Sequence, residues 1–318
     1  MMRLAILDDY QDAALGLADW ASLRPEIEIE VFRDTLAGVD AVARQLQPFA
    51  IVVAMRERTP FPASLIERLA NLKLLVTTGM RNASIDVKAA SERGIVVCGT
   101  EMLAHPTAEL TWGLILALAR QIAAEDRHMR AGGWQTSLGV GLKGKVLGLI
   151  GLGRLGSEVA RVGRAFNMDV VAWSQNLTEE RAAAQGARLV GKDELFRLAD
   201  FISIHLVLSP RSRGLVGAAE LAAMKKTAFL VNTSRGPIVD TVALIAALER
   251  RQIAGAGLDV YDEEPLPKDH PLRRLDNVVI TPHLGYVIAE NYRLAYGHAV
   301  EDVRAYLSGK PIRVIAPA

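Results

Sequence analysis

Val146-Leu147-Gly148-Leu149-Ile150-Gly151-Leu152-Gly153-Arg154-Leu155-Gly156 is the stretch that decides the fold. Its opening residues form an apolar run of strand length, which passes without a spacer into Gly-x-Gly-x-x-Gly. A helical pattern leaves the last glycine over residues 157–166, and a second apolar run follows at 170–173. Glycine is common enough for such a pattern to arise by chance. Strand, turn, helix and strand in this order are the context that gives it meaning. Gly151 then permits a tight turn, Gly153 lets a pyrophosphate approach the backbone, and Gly156 lets helix and strand pack closely. The pyrophosphate would sit at the positive end of that helix, where unpaired backbone N–H groups point outward, and the Arg154 guanidinium would add a charge-assisted contact. The blander alternative is a structural turn that binds nothing.

A dinucleotide fingerprint also asks for Asp or Glu about 20 residues on, to bind the adenosine ribose hydroxyls. Ser174 stands there, followed by Gln175 and Asn176. No acid holds a ribose diol or repels a 2′-phosphate, and no adjacent cation welcomes that phosphate. NAD is the expected cofactor, with NADP left open.

Working outward, short apolar runs keep alternating with amphipathic stretches, the mark of βαβ units and a parallel sheet. Downstream strand candidates are 201–205, 229–232, 256–260 and 278–280. Upstream they are 4–7, 27–32, 51–54, 74–77 and 96–97, with helical patterns at 37–46 and at 62–71, where Pro62 suits a first turn. Residues 107–129 read as one long helix, broken by Ala131-Gly132-Gly133-Trp134. Residues 287–307 read as another, stopped by Gly309-Lys310-Pro311.

At 318 residues the chain has room for two domains, or for a single large α/β domain. Half of it is hydrophobic, which excludes a disordered or fibrous protein. A net charge of +1 gives no electrostatic footprint for nucleic acid or for an anionic membrane. The longest apolar helix candidate, 110–119, falls far short of the roughly 20 residues that span a bilayer. The start of the chain offers no signal-peptide core before Asp8-Asp9, so Asn176-Leu177-Thr178 is read as a chance sequon. Cys98 is the only cysteine, which fits a reducing, cytoplasmic setting. In the run Ile95-Val96-Val97-Cys98 it is expected to be buried and inert. No metal site is expected.

Three dispersed groups follow the ends of strand candidates, where open α/β sheets place their ligand crevice. They are Arg235 in Asn232-Thr233-Ser234-Arg235-Gly236, Glu264 in Tyr261-Asp262-Glu263-Glu264-Pro265, and His283 in Thr281-Pro282-His283-Leu284-Gly285. A guanidinium can fork onto a carboxylate, and an imidazole can exchange a proton near neutral pH. A carboxylate beside the imidazole favours its charged form. Singly, each is better read as a solvated arginine, a surface acid or a satisfied loop histidine. Their joint appearance downstream of a dinucleotide loop points instead to reduction of a 2-keto acid by hydride transfer.

Gly257-Leu258-Asp259-Val260 and Glu264-Pro265 complete a set of motifs that follow one another in a fixed order between residues 151 and 285. The chain resembles the D-isomer-specific 2-hydroxyacid dehydrogenases, the group that includes phosphoglycerate dehydrogenases and glyoxylate/hydroxypyruvate reductases. The resemblance implies two Rossmann-like or flavodoxin-like, doubly wound α/β domains with parallel sheets. A cofactor domain (101–283) would be inserted into a discontinuous substrate domain (1–100 and 284–318). It implies Arg235, Glu264 and His283 as the catalytic set. Thr107, His205, Thr233 and Asp259 would join Gly151, Gly153, Arg154, Leu155, Gly156 and Ser174 around the cofactor. Arg56 would contact substrate, and the loop of Gly79, Met80 and Arg81 would hold the substrate carboxylate through its amides. Tyr286 stands where many members carry a small residue, so its ring would shape the substrate pocket. The implied partners are a small 2-keto or 2-hydroxy acid and a second copy of the chain, paired through the cofactor domain and the 107–129 helix. Two other readings share the scaffold. One is an NAD(H)-sensing co-repressor-like protein with little turnover. The other is oxidation of formate or phosphite, and Glu264, where formate enzymes place an amide, counts against its formate version.

Overall fold

The computed structural model describes residues 1–36 and 38–317. Ala37, the start of the helix expected at 37–46, and Ala318 lie outside the described residues. The chain divides into two compact units, Met1–Leu103 with Val287–Ala318, and Ala104–Tyr286.

The unit formed by the chain ends holds five parallel strands: β1 (Met2–Ile6), β2 (Ile27–Val31), β3 (Ile51–Ala54), β4 (Leu74–Thr77) and β5 (Val96–Gly99). Their order is β2-β1-β3-β4-β5, the flavodoxin-like doubly wound arrangement. Strands β3 and β4 are buried on both faces, which is why they read as unbroken apolar runs. Edge strand β2 buries Ile27 and exposes Glu28 and Glu30. Residues 313–315 close the opposite edge: Gly99 N–H donates to Arg313 O, and Ile315 N–H to Val97 O. Cys98 is fully buried there, and burial pushes its thiol up to about 12, so it carries no thiolate chemistry near neutrality.

The middle unit holds β6 (Val146–Ile150), β7 (Asp169–Trp173), β8 (Arg188–Leu189), β9 (Phe201–Ile204), β10 (Phe229–Asn232), β11 (Gly255–Leu258) and β12 (Val278–Ile280). The sheet is wholly parallel and ordered β12-β11-β10-β9-β6-β7-β8. The chain starts in the centre at β6, moves outward to β8, then returns to β9 and runs the other way. The β6/β9 junction is thus the topological switch point, outside which ligands bind in such sheets. Successive strand residues face opposite cores. Leu147, Leu149, Phe201 and Val231 pack under the helix His105–Ala119, while Ile150, Ile202, Ile204 and Leu230 pack against the other layer of helices.

The single helix expected over 107–129 is two: His105–Ala119, with Pro106 in its first turn, and Ile122–Arg130. The first buries Trp112, Leu114, Ile115 and Leu118, each contributing about 1.5–3 kcal/mol by burial. The second buries no residue, so no core holds it to the first axis. Gln121, in the left-handed region at φ +54°, makes the turn between them. The helix expected at 62–71 is also shorter, Ala63–Ile66, because the backbone tightens into i→i+3 bonds from Arg68 and Leu69. Pro62 is its N-cap rather than a residue of its first turn. The helix after the glycine turn runs Arg154–Ala165, and the last runs Ala289–Leu307 and ends at Gly309 with φ +75°. No helix of the described residues is long and apolar enough to cross a membrane.

Candidate active site

Two glycines of the turn after β6 are obligatory to the protein itself. Gly151 sits at φ +100°, and a Cβ there would stand 2.6 Å from the His205 carbonyl oxygen; a Cβ on Gly156 would overlap the Gly151 carbonyl oxygen. Gly153 differs, because a Cβ added there meets no atom within 4 Å. It is the N-cap of Arg154–Ala165 and supplies no side-chain cap, so the Arg154, Leu155 and Gly156 amides donate to no protein acceptor among the described residues. Open clearance beside a ring of unused donors fits the diphosphate of a dinucleotide. Gly153→Ala is therefore expected to leave the melting temperature unchanged and to raise the dinucleotide Kd about tenfold or more. An unchanged Kd in a calorimetric titration would remove the turn from the binding site.

Next to this turn, His205 follows β9, and its N–H donates to Ile150 O at 2.8 Å. Its Nε2 lies 2.9 Å from Ser203 Oγ, while Nδ1 is buried without a hydrogen-bond partner among the described residues. Burial pushes the ring down to about 4, so the imidazole is neutral at physiological pH. A neutral, orphaned nitrogen at the switch point is a second feature that suits a ligand. Ser174, half-buried, is the first residue past β7.

Arg235 stands on a loop tied to three elements. Asn232, buried at the end of β10, accepts from Ser234 N–H (3.0 Å) and donates through Nδ2 to Arg235 O (2.9 Å). Ser234 Oγ donates to Ile204 O at the end of β9 (2.7 Å), and Thr233 Oγ1 contacts Thr111 Oγ1 on the helix His105–Ala119 (2.9 Å). Arg235 Nη1 donates to the Ser234 carbonyl at 2.7 Å.

Glu264 and His283 meet: His283 Nδ1 is 2.6 Å from Glu264 Oε2. The other carboxylate oxygen accepts from Tyr261 N–H at 2.8 Å. Burial would raise the Glu264 carboxyl, but the bond and charge of His283, the Tyr261 amide and the charge of Arg235 together hold it below the ordinary glutamate range. The carboxylate can only accept, so Nδ1 carries a proton, and Nε2 is the nitrogen left to exchange one.

His283 itself lies at φ +55°. Asp259, fully buried just past β11, holds that loop: Oδ1 accepts from Thr281 Oγ1 (2.6 Å) and Leu284 N–H (2.7 Å), and Oδ2 from Gly285 N–H (2.8 Å). Burial raises the Asp259 carboxyl, and these donors together with the His283 charge oppose the rise. Thr107 Oγ1 adds a bond to Gly285 O (3.0 Å). Tyr286, only 9% exposed, lays its ring edge-on to the His283 imidazole, with centroids 5.6 Å apart.

The remaining expected residues belong to the unit formed by the chain ends. Arg56, at φ +51°, bonds through its N–H to Thr78 Oγ1 (2.9 Å) and pairs with Glu57 (3.4 Å). Its guanidinium covers Gly79, where a Cβ would overlap Nη1. The Gly79 amide is engaged by Thr100 Oγ1 (3.1 Å), so Gly79 is not an anion donor. Met80 and Arg81 N–H, which donate to no protein acceptor among the described residues, are the donors this loop retains. No group of three or more His, Cys, Asp or Glu among the described residues could hold a metal ion.

Reading the sequence missed the groups that hold these loops: Asn232, Ser234, Thr111, Thr281 and Tyr261. Asn232 and Ser234 carried a signal, because Asn-x-Ser directly after a strand is an Asx-turn pattern. The others carried none.

The profile of the family described as D-isomer specific 2-hydroxyacid dehydrogenase, NAD binding domain, matches residues 112–285. A glyoxylate reductase of Aeropyrum pernix is 41% identical over 256 residues, covering 77% of this chain and 76% of that protein. A D-3-phosphoglycerate dehydrogenase of Methanocaldococcus jannaschii is 39% identical over 265 residues, which are 82% of this chain and 50% of that protein. The crystal structure of a phosphoglycerate oxidoreductase from Vibrio cholerae superposes with a TM-score of 0.93 at 36% identity, covering 97% of this chain and 100% of that one.

Proposed function

The chain belongs to the D-isomer-specific 2-hydroxyacid dehydrogenase family, and from that premise we propose that it interconverts a 2-keto acid and its (R)-2-hydroxy acid. The observation that carries the proposal is the His283–Glu264 pair, 2.6 Å apart, on loops past the carboxyl ends of strands that also present Arg235. A bound nicotinamide supplies the hydride in one direction and takes it up in the other. The remaining work falls to side chains. Arg235 forks onto the substrate carboxylate and carbonyl. His283, with Nδ1 held by Glu264, gives its Nε2 proton to the alkoxide oxygen as it forms, and recovers one in the oxidising direction. The anionic Glu264 favours the imidazolium that this step needs.

Gly151, Gly153, Arg154, Leu155 and Gly156 are assigned to the diphosphate, with Thr107, Ser174, His205 and Thr233 to the rest of the cofactor. Asp259 is assigned to the His283 loop, because that loop occupies both its oxygens. Arg56, the Met80 and Arg81 amides and Tyr286 are assigned to the substrate. Ser174 neither claims a ribose diol nor repels a 2′-phosphate, so NAD is the cofactor of choice, with NADP admitted. Two copies of the chain are expected to pair through the middle unit. There Ile122, Met129, Trp134 and Leu138 are 53%, 57%, 70% and 97% exposed on one stretch of chain, more apolar surface than isolated exposed residues explain.

The test is consumption of NADH and NADPH by the purified chain over glyoxylate, hydroxypyruvate, pyruvate and bulkier keto acids. Turnover of at least one keto acid, with the two cofactors within about tenfold in Kd, is the expected result. Tight dinucleotide binding without turnover on any of them would favour a sensor instead.

A further inference from the structure

Thr111 lies on the buried side of the helix His105–Ala119 and is wholly inaccessible. Its hydroxyl has one proton, which is directed to the Thr107 carbonyl at 2.8 Å. The 2.9 Å contact with Thr233 Oγ1 therefore runs the other way, with Thr233 donating. One turn earlier, Thr107 Oγ1 donates to Gly285 O at 3.0 Å. A threonine bonded to the carbonyl four residues back is common in helices and means little alone. The additional bonds, which leave the helix for two separate loops, are what distinguish this pair. Thr233 precedes Arg235 by two residues, and Gly285 follows His283 by two.

We infer that Thr111 is a positioning residue for the reaction proposed above, on which this inference rests. Through Thr233 it fixes the loop that carries Arg235, and through the Thr107 turn it ties that loop to the one that carries His283. Thr111 itself touches no reacting atom. Its removal should therefore register first in what Arg235 does, which is to bind the keto acid, and only weakly in the proton step, since Asp259 also holds the His283 loop.

Thr111→Val keeps the shape and deletes the hydroxyl, while Thr111→Ser keeps the hydroxyl. The valine variant is expected to raise KM for the keto acid that the wild type turns over by about tenfold, with kcat changed less than about threefold, and the serine variant to restore KM to within about twofold. In an Arg235→Lys background, the same valine substitution should add less than about twofold, because the residue through which it acts has already been altered. Circular dichroism establishes that each variant is folded, and Thr111→Ala carries the same prediction should the valine variant fail that check. An unmoved KM in a folded variant, or an undiminished loss in the Arg235→Lys background, overturns the inference while wild-type turnover leaves the functional reading intact. A wild type inactive on every keto acid sinks the functional reading, and this inference with it.

Discussion

His283→Ala is expected to cut keto-acid reduction by about 10²–10⁴-fold, the usual worth of a general acid, with the fold and the dinucleotide affinity of the parent. The side chain is 27% exposed, so its loss opens no core cavity. The left-handed backbone at this position is held by the Asp259 bonds to Thr281, Leu284 and Gly285, none of which involves the imidazole. What the substitution removes is the Nε2 proton and the partner of Glu264. A folded variant turning over within about tenfold of the wild type would show that the proton comes from elsewhere.

Arg235→Ala should rank beside it, by a different route. Truncating one partner of a hydrogen-bonded charge pair costs about 2–5 kcal/mol, so kcat/KM should fall roughly 30- to 5,000-fold. The loop itself should survive, because Asn232, Ser234 and Thr233 pin it through the backbone and through their own side chains. Arg235→Lys should recover little, since an ammonium cannot reproduce the planar fork. Equal kcat/KM in the wild type and the alanine variant would exclude Arg235 from substrate binding.

The fold was legible wherever one strand or helix decides its own pattern. Strands at 51–54, 74–77, 146–150, 229–232 and 278–280 appear where apolar runs of strand length sit between turn signals. The helix break at Gln121 was not legible, because Arg120 and Gln121 are good helix formers with no Gly or Pro beside them, and only burial, a tertiary property, stops at Ala119. Strand β8, with two residues, is too short to leave a pattern. Arg235, Glu264 and His283 stood out because charged groups directly after apolar strands are conspicuous. The groups that aim them did not, since Ser234 reaches its acceptor on Ile204 across 30 residues and Thr111 reaches Thr233 across 122. A hydroxyl's partner at such separation exists only once the sheet order has brought the strand ends together. The engaged Gly79 amide was hidden for the same reason, because Thr100 becomes its neighbour only when β4 pairs with β5.

The pH dependence of kcat/KM for keto-acid reduction, compared between the wild type and Glu264→Gln, is the sharpest measurement of whether the Glu264 carboxylate tunes His283. The Glu264 carboxyl is held below its ordinary range, so it is an anion throughout the working range and favours the protonated imidazole beside it. Glutamine keeps the size and the acceptor oxygen but loses the charge. The basic limb of the profile is expected to move to lower pH in the variant, because the protonated acid loses the neighbouring negative charge that favours it. A limb that stays in place would mean that the Glu264 carboxylate does not tune the acid that completes the reaction.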